Sequence, residues 1–190
     1  PHLIQKLTRW YQDSGKQTVV CKDTTGFILN RQSLPYINEA VRCLDTTTPG
    51  AVDAIAIREL GVGLGPFAVM NMVGLKVMAA SSKNLALLGS GYSLAELLQQ
   101  KAAEEEPRWL IELGADLQGV DIAAIKDRLL GAMLFPGKDI LDQSLCNRED
   151  LHFICVEALG YKHSSPELLS QLPKDEIQRL LVSYRSSESG

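Results

Sequence analysis

Helical periodicity runs through almost the whole of this sequence and constrains its fold more than any other feature. From Gly26 to Tyr184, apolar side chains recur every three or four residues, as they do on the buried face of an amphipathic helix. One short β-branched run, Thr18–Cys21, breaks this pattern and predicts a strand. No second convincing strand follows it. We therefore expect an all-α fold with one orphan N-terminal strand, which would belong to the edge of a sheet outside this chain.

The expected helices follow one another with short connections. Thr48-Pro49 is a typical start signal, because the threonine can cap the helix and proline is well tolerated in the first turn. Pro35 lies inside a predicted helix and predicts a kink there. One expected helix begins at Gly65-Pro66. The other expected helices span about 2–14, 27–44, 49–60, 75–88, 93–103, 107–113, 121–135, 139–144, 147–159, 165–172 and 173–184.

A weak internal repeat runs through the helical part of the chain. Ile28–Arg31 overlays Ile125–Arg128 at a spacing of 97 residues. Asp53 falls on Asp150 at the same spacing. Leu60-Gly61 then falls on Leu159-Gly160, and Pro66 on Pro166, once two or three residues are inserted. Because the matches keep their order along the chain, they favour an internally duplicated helical unit.

Composition and charge narrow the classes of protein that this chain can belong to. At 190 residues, with 45% hydrophobic and 22% charged residues, it has the composition of a folded globular protein. Its net charge of −4 provides no basic surface for a phosphate backbone, so we expect no nucleic-acid partner. No run approaches the roughly 20 apolar residues that cross a bilayer, so we expect no membrane partner and a cytoplasmic protein.

The residues that often hold metals or cofactors form no recognised pattern here. Gly61–Pro66 is rich in glycine, but it follows a helix, and its proline removes an amide that a pyrophosphate would need. His152 and Cys155 are three residues apart, which matches no zinc-binding spacing. The four cysteines are too sparse for a disulfide scaffold, so we expect reduced thiols. We predict no metal site and no cofactor-binding residue in this chain.

Asn30 is a polar residue in an otherwise apolar stretch that begins at Gly26. An asparagine amide one turn into a buried helix must find partners for two donors and one carbonyl, and a ligand or a histidine in a cleft would supply them. A neighbouring loop that the amide caps would supply them equally well. From the residues alone, the functional and the structural interpretation of Asn30 remain equally open.

Several motifs follow one another in order between Gly26 and Leu75: Gly26-Phe27-Ile28-Leu29-Asn30-Arg31, Leu34-Pro35-Tyr36-Ile37-Asn38-Glu39-Ala40, Asp53, Leu60-Gly61, Gly65-Pro66-Phe67 and Val73-Gly74-Leu75. This order closely resembles the C-terminal region of 3-hydroxyacyl-CoA dehydrogenases. The resemblance implies a helical bundle like the C-terminal domain of 6-phosphogluconate dehydrogenase. It also implies an enzyme that oxidises (S)-3-hydroxyacyl-CoA to 3-oxoacyl-CoA with NAD, as in fatty-acid β-oxidation.

The resemblance assigns roles to four residues. Asn30 would be the asparagine that hydrogen-bonds near the substrate oxygen and the catalytic histidine, with a positioning role in catalysis. Gly65, Pro66 and Phe67 would shape the acyl pocket or a dimer contact, and a place in the core is at least as good an interpretation of Phe67. NAD, the histidine and the glutamate would belong to an N-terminal Rossmann domain absent from this chain. We therefore expect the chain alone to be inactive.

The resemblance also implies a division of the chain into a tail end of the NAD-binding domain with a linker, residues 1–25, a first helical repeat, 26–92, and a second, divergent repeat, 93–185. Thr18–Cys21 would be the last strand of the missing sheet. The second repeat departs from the family pattern, because Asp127 stands where the first repeat has Asn30. The resemblance implies that this helical domain completes the acyl-CoA cleft and is the dimerisation domain of a homodimer. A duplicated domain could instead make within one chain the packing that shorter relatives make by dimerising.

Two other interpretations remain open. The chain could be a non-catalytic helical assembly module, or an acyl-CoA-binding module, that keeps the fold without the chemistry. It could also be the C-terminal domain of a different hydroxyacid dehydrogenase with the same architecture.

Overall fold

The computed structural model describes residues 2–112 and 114–186, and this part of the chain is helical without a β-strand. The all-α prediction is confirmed. No helix in these two ranges has both the length and the apolar character needed to cross a bilayer. The helices are α1 His2–Asp13, α2 Leu29–Arg42, α3 Pro49–Ile55, α4 Pro66–Val73, α5 Leu75–Leu85, α6 Glu96–Ala102, α7 Ile122–Asp142, α8 Arg148–Phe153, α9 Ser165–Gln171 and α10 Lys174–Ser186.

Side-chain caps fix where several of these helices begin. In each case a side-chain oxygen accepts a hydrogen bond from the backbone N–H three residues further along the chain, which satisfies one of the free donors of the first turn. The capping residues are Thr48 for α3, Asp121 for α7, Asn147 for α8 and Ser164 for α9. Helix starts are therefore encoded locally.

Two halves of the chain have the same order of elements. In the first half, α2 is followed by α3, a π-helical turn at Ala56–Leu60, α4 and α5; in the second half, α7 is followed by α8, a π-helical turn at Ile154–Ala158, α9 and α10. Gly61 and Gly160 come directly after or close to these turns and have nearly equal left-handed φ angles, +66° and +67°.

The spacing of 97 residues does not hold along the whole repeat. Gly61 and Gly160 correspond in the structure as they do in the sequence overlay, at a spacing of 99 residues. At the structural spacing, the residue of the second half that corresponds to Asp53 is His152. Asp150 instead interacts with the N-cap of α8, since its backbone N–H donates to Asn147 at 2.7 Å.

The halves pack together along α2 and α7, and polar contacts join the two helices within the core. The Gln32 amide donates to the carbonyl of Met133 at 2.9 Å and accepts from the Ser165 hydroxyl at 3.1 Å. Further along α2, the buried Glu39 carboxylate accepts a hydrogen bond from Arg128 Nε at 2.6 Å. Because these groups are buried or partly buried and each has a partner, they specify how α2 lies on α7.

Residues 95–112 pack against the first half, beyond the predicted boundary at residue 92. The backbone N–H of Ala95 donates to Asn38 Oδ1 at 2.8 Å. Asn71 bonds both backbone groups of Trp109, each at 2.9 Å. The helix predicted over 107–113 is absent from its described part, residues 107–112. The side chain of Asn71 hydrogen-bonds the N–H and the carbonyl of Trp109, which would otherwise form backbone hydrogen bonds within a helix.

The predicted strand Thr18–Cys21 is also wrong for this structure, where these residues are irregular. A strand needs a partner for its backbone groups, and the described residues contain no other strand. The chain continues to Lys22, whose backbone N–H donates to the carbonyl of Leu145 at 2.9 Å. The end of this segment therefore contacts the second half of the chain, at Leu145.

α7 is one helix where two were predicted, over 121–135 and 139–144. It continues through Pro136, and α2 likewise continues through Pro35. A proline inside a helix costs about 3 kcal/mol, so packing must offset it. The close approach of α7 to α9 and α10 supplies this packing: a Cβ at Gly131 would collide with Leu180, and one at Gly137 would collide with Ser165.

Candidate functional site

A tight turn leads into α2 and fixes its first residues. Gly26 has φ +74° and Phe27 has φ +47°, both in the left-handed region. The N–H of Phe27 donates to the carbonyl of Thr24 at 3.0 Å, which closes the turn. A Cβ at Gly26 would collide with the Leu85 side chain. The left-handed conformation therefore favours glycine at this position, and a side chain there would also displace Leu85.

A cavity of about 500 Å³ lies beside the first turn of α2. Its volume is in the range of small-molecule sites. Residues of α2, α4 and α5 line it from the first half, and Glu157–Tyr161 lines it from the second. Most of the lining is apolar. The polar side chains among it are those of Asn30, Ser33, Tyr36, Ser81, Glu157 and Tyr161.

Asn30 is the second residue of α2 and lines this cavity. From the sequence, Asn30 is expected one turn into a buried helix, but α2 is buried only from Arg31 onward and Asn30 itself is exposed. Among the described residues its amide makes no hydrogen bond. Its two donors and its carbonyl are therefore free to bind a ligand in the cavity or a group that approaches from outside these residues.

Exposed apolar side chains surround the same cavity, and we call them the apolar rim. The most exposed is Met72, with 71% of its surface accessible. Contiguous apolar surface of this kind marks a binding or docking site more often than a free surface. The apolar rim consists of Leu29, Leu64, Met72, Val73 and Val77.

Two buried tyrosines, one from each half, form the inner part of the lining. Tyr36 and Tyr161 pack edge to face with their ring centroids 5.8 Å apart. Burial raises the pKa of both phenols, so both are neutral. The Tyr36 hydroxyl has no hydrogen-bond partner in the described part of the chain. A buried polar group without a partner is costly, and a water or a polar ligand atom would satisfy it.

Gly65, Pro66 and Phe67 lie at the start of α4 and are not among the residues that line this cavity. The Asp53 carboxylate accepts the N–H of Phe67 at 2.8 Å, and a Cβ at Gly65 would collide with it. Burial raises the pKa of Asp53, although its hydrogen bonds oppose this. Phe67 is fully buried and contacts Trp109 edge to face. In the structure, these three residues form the start of α4 and part of the core, and their contact with substrate stays a prediction.

Arg31, which no motif of the sequence singled out as a candidate, makes the most extensive polar contacts near Asn30. Its side chain is 2% exposed. Nε donates to the Tyr92 hydroxyl at 3.1 Å, Nη1 to Thr24 Oγ1 at 3.1 Å and Nη2 to Asp139 Oδ2 at 2.7 Å. The local signals for it are an arginine inside an apolar stretch and its place beside Asn30 at the end of the Gly26–Arg31 motif. Its acidic partner is 108 residues away, which no local pattern can indicate.

Asp139 is held on both carboxylate oxygens. Tyr92 Oη donates to Oδ2 at 2.6 Å, and Gln143 Nε2 donates to Oδ1 at 2.8 Å. Burial tends to raise the pKa of Asp139, but the hydrogen bonds from Tyr92, Arg31 and Gln143 outweigh it and lower the pKa. Asp139 is therefore a carboxylate at neutral pH and is the counter-ion of Arg31.

The histidines and cysteines do not assemble into a metal centre in the ranges that the structure covers, where no three potential ligands come together. His152 Nδ1 lies 2.8 Å from the Ser164 hydroxyl, at the start of α9. This is the place that Asp53 occupies at the start of α4. The pair His152 and Ser164 is thus part of a helix start.

Comparison with known proteins finds a similarity to one family over part of this chain. Residues 26–114 match the family model of the 3-hydroxyacyl-CoA dehydrogenase C-terminal domain. Hydroxyacyl-coenzyme A dehydrogenase, mitochondrial, is 39% identical in Sus scrofa and 43% identical in Homo sapiens, each over 74 residues. A probable 3-hydroxyacyl-CoA dehydrogenase of Caenorhabditis elegans is 44% identical over 74 residues. These matches cover 38% of this chain and 24% of each relative.

A solved structure shares the fold over the whole chain. The crystal structure of 3-hydroxybutyryl-CoA dehydrogenase from Escherichia coli K12 superposes with a TM-score of 0.76 at 17% sequence identity. The alignment covers 100% of this chain and 62% of that one.

Together, these comparisons show that part of the chain is similar to a family of dehydrogenases and that the whole chain shares a helical fold with one solved member. More particularly, residues 26–114 are similar to the 3-hydroxyacyl-CoA dehydrogenase C-terminal domain, and the chain spans about a quarter of the length of the curated relatives named above. The resemblance that the motifs indicate is thereby confirmed for this segment.

Proposed function

We propose that this chain is the C-terminal substrate-cleft domain of an NAD-dependent 3-hydroxyacyl-CoA dehydrogenase. The enzyme would oxidise (S)-3-hydroxyacyl-CoA to 3-oxoacyl-CoA, as in fatty-acid β-oxidation. The observation that carries the proposal is the free amide of Asn30 at an apolar cavity within the matched segment. An acyl-CoA has the two features that this site can bind, an apolar chain and a polar thioester end.

Asn30 has a positioning role in this proposal. An amide N–H held by the first turn of α2 can donate to the substrate oxygen, and this bond strengthens as negative charge develops there. The amide does not titrate, so it moves no proton. The acid–base groups of the reaction would come from the N-terminal domain.

NAD would be bound by that N-terminal domain, because the residues of this chain do not fit it. The glycine-rich turn Gly61–Gly65 follows a π-helical turn, where a dinucleotide loop would follow a strand. The N–H of Gly63 already donates to the Gly160 carbonyl at 2.9 Å. No phosphate cradle is left in this turn.

Exposed apolar surface supports an adjoining Rossmann domain. α1 has no buried residue, and its apolar side chains share one face of the helix. The apolar rim gives a second such surface beside Asn30. In the proposed enzyme, the N-terminal domain covers α1 and closes the cleft over the apolar rim.

The test is the substitution Asn30→Ala in the enzyme that combines this chain with its NAD-binding domain. We expect kcat for reduction of acetoacetyl-CoA to fall about 10²-fold, as when one oriented polar group is lost. Asn84→Ala is the matched control, because Asn84 is an exposed asparagine on α5 outside the cavity lining. Unchanged turnover in Asn30→Ala would contradict the proposal. Acyl-CoA binding without any turnover of the parent protein would instead favour a non-catalytic module.

The pairing of the two halves also bears on assembly. α2 and α7 pack together within one chain, so the proposed enzyme does not need a second copy to bury these helices. We expect a monomer in size-exclusion chromatography with light scattering. A tight dimer would contradict this part of the proposal.

A further inference from the structure

We infer that Asp139, in the second half of the chain, is a positioning residue for the Asn30 amide. This inference rests on the proposed function, because it concerns the geometry of Asn30 during turnover. It assigns to the divergent second half a role in the site of the first half.

No hydrogen bond of its own side chain fixes the position of Asn30. Its amide has no hydrogen-bond partner among the described residues, and the N-cap of α2, Ile28, offers no side-chain cap. The first turn of a helix frays unless something fixes it. The direction of the amide therefore depends on what holds the backbone of this turn.

Arg31 is the group that holds this turn. It directly follows Asn30, and its buried guanidinium bonds Thr24 in the preceding turn as well as Asp139 on α7. One side chain thus ties together the entry to α2, its first turn and the second half. Bonds between charged groups are shorter and stronger than neutral ones, and both oxygens of Asp139 are engaged.

Loss of the Asp139 charge would release this arrangement. A guanidinium that is 2% exposed cannot remain buried without a counter-ion, so Arg31 would move towards water. The first turn of α2 would move with it. A misplacement of about 1 Å at a reacting group can cost up to about 10²-fold in rate.

The experiment is a double-mutant cycle in the enzyme that carries the NAD-binding domain, with Asp139→Asn, Asn30→Ala and the two combined. We expect Asp139→Asn to lower kcat about tenfold and to change KM for acetoacetyl-CoA less than about twofold. In the Asn30→Ala background we expect no further decrease, because there is no amide left to orient. Asp142→Asn is the matched control: Asp142 lies on the same helix and, in the part of the chain that the structure describes, pairs only with exposed Lys138. It should leave kcat unchanged.

Tyr92→Phe provides a second, milder variant if Asp139→Asn fails to fold. It removes the hydroxyl that bonds both Arg31 and Asp139, and it should lower kcat only when Asn30 is present. Equal decreases in both backgrounds would indicate a general loss of structure and overturn the inference. An unchanged kcat in the single Asp139→Asn variant, in an enzyme that Asn30→Ala strongly impairs, would also overturn it. An Asn30→Ala enzyme with normal kcat would overturn the proposed function, and the inference with it.

Discussion

The backbone N–H of Gly63 donates a hydrogen bond of 2.9 Å to the carbonyl oxygen of Gly160. Each glycine lies in the turn that follows a π-helical turn, one in each half, and both line the cavity. π-helical turns inside α-helices occur frequently at functional sites. The bond joins the two halves at the wall of the candidate site, so the shape of the cavity depends on both halves.

The substitution Gly160→Ala should destabilise the protein by about 1–2 kcal/mol, the cost of a left-handed conformation for a residue with a Cβ. Space is not the cause, because the new Cβ would meet nothing closer than 3.8 Å. Urea denaturation followed by Trp109 fluorescence would measure the loss. Gly160→Asn should lose less, since asparagine adopts this conformation more readily. Equal losses in the two variants would contradict a conformational origin.

The substitution Gly65→Ala should destabilise the protein by about 1–3 kcal/mol through overpacking. The new Cβ would collide with Asp53, whose carboxylate caps α4. Gly63→Ala is the control in the same turn, because its Cβ would meet nothing closer than 3.6 Å. The same denaturation experiment measures both. A loss in Gly63→Ala as large as in Gly65→Ala would argue against this reason for glycine at position 65.

The stability that Asp139 contributes should depend on pH. Its pKa in the folded protein lies below the value of about 3.9 for an unfolded chain, so its contribution is complete above that value and is lost as the pH falls through the folded pKa. Asp139→Asn should therefore be less stable than the parent protein at about pH 6, with a smaller difference at about pH 3. Thermal unfolding at the two pH values tests this. A difference that grows on acidification would contradict it.

The cysteines should react with iodoacetamide in an order that burial determines. Burial raises the pKa of Cys43 to about 12 and that of Cys146 to about 11, and only the thiolate reacts. Cys43 and Cys155 are fully buried, whereas Cys21 and Cys146 are partly exposed. Mass spectrometry after a short reaction at about pH 8 should find Cys21 and Cys146 modified first. Rapid labelling of Cys43 in the folded protein would contradict the packing around α2.

Local patterns predicted the helices well where the determinants are themselves local. The cap at Thr48 and the glycine at Gly61 are encoded within one or two turns of the helix they bound. The prediction failed where tertiary contacts decide. Residues 107–112 do not form a helix because Asn71 pairs with Trp109, and α7 continues through Pro136 because α2 and α10 pack on it.

In the candidate site, too, the residues with local determinants could be predicted from the sequence, and those that depend on tertiary packing could not. Asn30 could be found from its sequence because it belongs to a motif of adjacent residues. The Arg31–Asp139 pair and the cavity wall at Glu157–Tyr161 could not, since both depend on how the second half packs on the first. The overlay at a spacing of 97 residues also hid the correspondence of Asp53 with His152.

The first helix has a practical consequence for handling this polypeptide. α1 spans 12 residues and buries none of them, and its exposed apolar residues are Leu3, Ile4, Leu7, Trp10 and Tyr11. A helix this short has little stability of its own in water. A protease should therefore cut within residues 2–22 first and leave a resistant core that begins near Gly26, and a preparation trimmed in this way should be less prone to precipitate than the untrimmed one.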